Sequence, residues 1–131
     1  MSAQALGRQI LVEFYDCNEH LLNDREYIEK KMLEAAKASN ATIVTQTFHT
    51  FSPYGVSGVV VIAESHIAIH TWPEYNYAAV DIFTCGETID PWIIHDYLKE
   101  AFDSKNTSSM EMKRGIFNIA GKLHHKPVAA I

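Results

Sequence analysis

Residues 56–85 read VSGVVVIAESHIAIHTWPEYNYAAVDIFTC, and their pattern decides the fold. Val56 to Glu64 is an apolar, β-branched run of strand length. From His66 to His70, Ile67 and Ile69 oppose His66, Ala68 and His70, until Trp72-Pro73-Glu74-Tyr75-Asn76 interrupts the run. Tyr77 to Cys85 then alternates again, with Tyr77, Ala79, Asp81, Phe83 and Cys85 on one face. The links between these runs are too short for a crossover helix, which predicts antiparallel neighbours.

Upstream, Gln9 to Tyr15 alternates with Ile10, Val12 and Phe14 on one side, the period of a half-buried strand. Asn23 followed three residues later by Glu26 has capping-box spacing, and Ile28, Met32, Ala35 and Ala36 recur at helical spacing up to Asn40. Thr42 to Phe51 reads as the next strand, broken by Ser52-Pro53-Tyr54-Gly55. Downstream, Gly86 ends a strand. Asp90 then caps a second helix with Pro91 at its first position, and Ile93, Ile94, Tyr97, Leu98, Ala101 and Phe102 form its buried stripe. A weaker strand is expected near Met110 and Met112. Residues 115–131 show no clear period and read as a flexible tail in which His124 and His125 are solvated. The order β-α-β-β-β-β-α-β predicts an α+β two-layer sandwich, a mainly antiparallel sheet with two long helices on one face.

A length of 131 residues with 47 % apolar content fits one domain, 1–131. Eleven Lys and Arg against 16 Asp and Glu leave a formal charge of −5, which disfavours a general grip on nucleic acid or an anionic membrane surface. Residues 38–98 hold no Lys or Arg but carry Glu64, Glu74, Asp81, Glu87, Asp90 and Asp96. A site built there suits a neutral or cationic ligand, and it has no lysine to hold pyridoxal phosphate as a Schiff base. Cys17 and Cys85 are too few for a disulfide framework. Residues 1–7 lack the regions of a signal peptide, and no apolar run approaches the ~20 residues that span a bilayer. A soluble, cytoplasmic protein is expected.

The Ser65 hydroxyl, the imidazoles of His66 and His70, the carboxylates of Glu64, Glu74 and Asp81 and the Cys85 thiol crowd between Glu64 and Cys85, and four readings compete there. As metal ligands, His66 and His70 would stand about 13 Å apart on a strand, too far for joint ligation, so no metal is expected. Cys85 activated by His70 would make a thiol nucleophile. Satisfied polar residues on a sheet face need no chemistry at all. The fourth reading starts from Ser65 after Glu64. If Ser65 Oγ attacks the Glu64 carbonyl carbon, the amide becomes an ester. β-Elimination then releases the Glu64 carboxylate and leaves a dehydroalanine, which water converts to a pyruvoyl group and ammonia. Such a ketone condenses with a substrate amine and accepts the electrons freed by decarboxylation, the work pyridoxal phosphate does elsewhere.

Residues 51–58 (FSPYGVSG), 64–75 (ESHIAIHTWPEY) and 81–86 (DIFTCG) resemble the bacterial and archaeal S-adenosylmethionine decarboxylase proenzyme family, and the likeness runs from Leu6-Gly7-Arg8 to Trp92. The resemblance implies self-cleavage between Glu64 and Ser65 into a β chain, 1–64, and an α chain, 65–131, with Ser65 becoming the covalent pyruvoyl cofactor. It implies processing roles for His70 and Ser57, proton donation to the substrate α-carbon by Cys85, and ligand binding by Phe51 on adenine and Glu74 on the ribose hydroxyls. It also implies a homodimer whose sites are completed across the interface, a sheet edge being the expected contact, and a product that donates aminopropyl groups in spermidine synthesis. The sulfonium of S-adenosylmethionine suits the faces of Phe51, Trp72, Tyr75 or Tyr77 at ~0.5–2 kcal/mol. Members of the superfamily resembling this chain act on arginine or ornithine, and the missing cations suit those substrates equally. Phe51, residues 54–57 and Glu74 favour the adenosyl substrate. From another class, a non-catalytic α+β binding module stays open.

Overall fold

The computed structural model describes residues 2–125. In chain order these form β1 (Ser2–Tyr15), α1 (Arg25–Ala38), β2 (Ile43–Thr50), β3 (Val56–Ile62), β4 (Ser65–Trp72), β5 (Tyr77–Cys85), α2 (Pro91–Ala101) and β6 (Asn106–Ile119). The strands make one six-stranded sheet in the order β2-β3-β4-β5-β1-β6, and each adjacent pair is antiparallel. This is the expected α+β sandwich, with both helices on one face.

The alternation read from the sequence sorts the faces. Ile10, Val12 and Phe14 of β1, Ile67 and Ile69 of β4, and Val80 and Ile82 of β5 turn inward and are all but inaccessible. They meet Ile28, Met32, Ala35 and Ala36 of α1, Ile94 and Leu98 of α2, and Phe102. Each fully buried large side chain contributes about 1.5–3 kcal/mol. Among the described residues nothing covers the other face. Leu11, Tyr15, Trp72, Met110, Met112 and Ile116 remain 39–60 % exposed there or at its margins.

Three local expectations differ from the structure. The cap of α1 is Asp24, whose carboxylate accepts from Tyr27 N–H (3.1 Å). Asn23 instead accepts from Gly55 N–H (2.9 Å), bracing the loop between β2 and β3. A tertiary partner has taken the residue that the local pattern assigned to the helix. Next, β6 is fourteen residues long and includes 115–119, because β1 supplies partners from Ser2 to Tyr15. It is an exposed edge strand, so its burial does not alternate and its sequence carries little period. Finally, 121–125 turn back on the sheet: Leu123 N–H donates to Gln4 Oε1 (3.1 Å), and His125 Nε2 lies 3.1 Å from the Ala63 carbonyl oxygen. The rest of the expected tail, 126–131, lies outside the described residues.

Candidate active site

The turn from β3 into β4 delivers the Glu64–Ser65 bond to the end of the sheet, beside the last residue of β5. Four hydrogen bonds grip the turn, one of them from Ala63 N–H to the Thr42 carbonyl oxygen (2.8 Å). Cys85 N–H donates to the Glu64 carbonyl oxygen (2.7 Å), Thr42 N–H donates to Glu64 Oε1 (3.1 Å), and His125 meets the preceding carbonyl, that of Ala63. Ser65 holds φ at +147°, a region rarely adopted by residues with a side chain. Its Oγ lies 3.4 Å from Cys85 Sγ, and Glu64 and Cys85 are both buried. Chemically, a nucleophile is attached directly to the bond it could attack. The carbonyl oxygen of that bond already faces a backbone donor of the kind that stabilises a developing oxyanion.

A second cluster sits near the other end of β4. Ser57 and His70 are register partners on β3 and β4, with Ser57 Oγ 2.7 Å from His70 Nδ1. Trp72 tilts against His70 and stacks on Tyr77 (5.3 Å between centroids), which stacks in turn on Tyr15 (5.4 Å). Tyr77 O–H donates to Glu13 (2.7 Å), and burial together with this acceptor raises the phenol's pKa well above the ordinary tyrosine range. Phe51 follows β2 with its ring half exposed and edge-on to His49 (4.6 Å). Glu74, in the turn Pro73–Tyr75, lines an open cleft of about 460 Å³ with Glu19, His20, Asn23, Tyr54 and Pro73.

The structure therefore joins Ser65 to Cys85 and Ser57 to His70, but does not join the two pairs. Ser65 and His70 are five residues apart on a strand, about 17 Å. The Cys85–His70 pairing required for an activated thiol nucleophile does not form within the chain, because Cys85 lies at the Ser65 end. His66 is likewise separated from His70, packing edge-on against Phe83 (5.7 Å). Cys17 is apart from both clusters: its thiol approaches the Phe14 carbonyl oxygen (3.6 Å), and burial pushes its pKa up to about 11.

Sequence reasoning missed the Cys85 and Thr42 backbone donors, which follow from strand register and leave no residue-type signal. It also missed Arg114. This guanidinium comes from β6, outside the cation-free stretch, and lies 5.3 Å from the Phe83 ring, two residues from Cys85 along β5. A gap in sequence is not a gap in space.

The fold, a six-stranded antiparallel sheet backed by two helices, is that of a class of small α+β decarboxylases. A solved structure described as the adenosylmethionine decarboxylase from Aquifex aeolicus superposes with a TM-score of 0.85 at 32 % identity, covering 92 % of this chain and 99 % of that one. Residues 8–115 match the family described as S-adenosylmethionine decarboxylase. S-adenosylmethionine decarboxylase proenzymes of Acidithiobacillus ferrooxidans and Thermosipho melanesiensis are 57 % and 53 % identical to it over 123 and 124 residues. These matches cover 94 % and 95 % of this chain, and 92 % and 95 % of theirs. The chain belongs to the S-adenosylmethionine decarboxylase family.

Proposed function

We propose that this protein is the proenzyme of a pyruvoyl-dependent S-adenosylmethionine decarboxylase that cleaves itself between Glu64 and Ser65. The observation that carries the reading is the turn itself: a strained Ser65 whose preceding carbonyl is held by Cys85 N–H. Ser65 Oγ attacks the Glu64 carbonyl carbon, the N–H of Cys85 steadies the oxyanion, and collapse moves the acyl group from nitrogen to oxygen. Elimination and hydrolysis then follow as set out above, giving chains 1–64 and 65–131. The residues fit a carbonyl group at position 65, since that position adjoins a buried thiol. Position 65 would hold that carbonyl, which would supply an electrophile for the substrate amine and a sink for the electrons released with carbon dioxide. Cys85, whose Sγ lies 3.4 Å from Ser65 Oγ, is the proton donor to the substrate α-carbon. Phe51 and Glu74 bind the adenosine portion, and the aromatic row of Trp72, Tyr77 and Tyr15 suits a sulfonium.

The working unit in this proposal is a homodimer packed through the open sheet face rather than through a sheet edge. Ser57 and His70 serve processing, yet they stand about 17 Å from Ser65 in the same chain. By alternation His70 shares the open face with Cys85. A second copy laid on that face about a twofold axis brings its Ser57–His70 pair over the Ser65–Cys85 pair, and covers the exposed apolar residues. Carbon dioxide release from S-adenosylmethionine, arginine and ornithine, assayed in parallel, tests the substrate. Release from S-adenosylmethionine alone is expected; faster release from either amino acid overturns the assignment.

A further inference from the structure

We propose that Gly7 is a positioning residue for Cys85: the side chain it lacks would take space that the Cys85 thiol occupies together with the Phe83 ring and the Thr84 carbonyl oxygen. The proposal rests on the reading of Cys85 as the proton donor. Gly7 and Cys85 are register partners across β1 and β5. Four other glycines, Gly55, Gly86, Gly115 and Gly121, have positive φ, but Gly7 does not, so its backbone is open to any residue. What the position requires is room. A Cβ built on Gly7 would stand 2.7 Å from Cys85 Sγ, 2.8 Å from Phe83 Cε1 and 2.8 Å from the Thr84 carbonyl oxygen.

These three neighbours differ in their freedom. The Thr84 oxygen belongs to the β5 backbone that pairs with β1. The Phe83 ring is flanked by His66 and the Arg114 guanidinium. The thiol, by contrast, can swing about a single side-chain torsion. A methyl group at position 7 forces a small give between the β1 and β5 backbones at Thr84 and displaces the thiol farthest, out of the 3.4 Å approach to Ser65 Oγ. A glycine inside a strand signals a close approach by another group, and here that group is the reacting thiol.

Gly7→Ala, Cys85→Ala and the double variant test this in the full self-processing chain. Two readouts are needed: the iodoacetamide alkylation rate of Cys85 by peptide mass, and kcat with KM in the cleaved enzyme. In Gly7→Ala the displaced thiol, buried in the parent, is expected to alkylate about tenfold faster. Its kcat is expected to fall by up to about 100-fold with little change in KM. In a Cys85→Ala background, Gly7→Ala is expected to cost at least about tenfold less than in the parent, because only the Phe83 and Thr84 contacts remain to be relieved. Unchanged alkylation and kcat in Gly7→Ala, or the same loss with and without the thiol, overturns the proposal. If Gly7→Ala does not fold, folding of the double variant supports it and failure of both overturns it. Full turnover by Cys85→Ala alone removes the proton-donor reading and leaves the alkylation rate to decide the role of Gly7.

Discussion

Ser65 carries two burdens at residue scale. It supplies the hydroxyl, and it accepts φ = +147°, a conformation that costs a side-chain-bearing residue about 1–3 kcal/mol. Alanine keeps the cost and loses the hydroxyl, whereas glycine loses both. The uncleaved Ser65→Gly chain is therefore expected to be more stable than uncleaved Ser65→Ala by about 1 kcal/mol in denaturant unfolding. Equal stability, or a more stable alanine variant, would show that the bond is not strained. Glu-Ser was visible in the sequence as a pair whose chemistry is possible. The strain was not visible, because it arises where β3 and β4 are pinned on both sides by the Thr42 and Cys85 donors.

At the scale of elements, legibility followed burial. The β1, β4 and β5 residues facing the helices alternate cleanly because one face is dry and the other open, and Asp90 with Pro91 begins α2 as its local chemistry dictates. Neighbouring Asn23 and Asp24 were harder. Both are good caps, and only the distant Gly55 N–H, which occupies Asn23, leaves the helix to Asp24. Asp24→Ala should cost about 1 kcal/mol of stability, read as a lower melting temperature, with turnover unchanged. Asn23→Ala should instead raise KM, since it frees the loop between Phe51 and Val56; unchanged KM would mean that the loop needs no brace. Edge strand β6 was nearly illegible because an exposed strand next to exposed solvent has no reason to alternate.

Across the whole molecule, the cation-free stretch acquires a spatial meaning. Residues 38–98 contain Phe51, Ser57, Glu64, Ser65, His70, Glu74 and Cys85, but the sheet spreads them over two separated clusters and brings Arg114 in from β6. Sequence proximity suggested one compact site; strand geometry at ~3.3 Å per residue makes two halves. Co-expressing a Ser65→Ala chain with a His70→Ala chain tests the shared site. Each mixed dimer pairs one intact Ser65 with one intact His70 from its partner. Up to about half of the His70→Ala chains should then be cleaved, and none when that variant is expressed alone. No rescue in the mixture would place both halves of the site in one subunit.

The most direct measurement is the intact mass of the purified wild-type protein beside Ser65→Ala. Wild type should give two chains, 1–64 and 65–131, the second lighter by one ammonia than a chain starting with serine, while Ser65→Ala gives one full-length, inactive chain. A single uncleaved wild-type chain that releases carbon dioxide from S-adenosylmethionine, or a Ser65→Ala chain that does so, would contradict the self-made pyruvoyl on which the account depends.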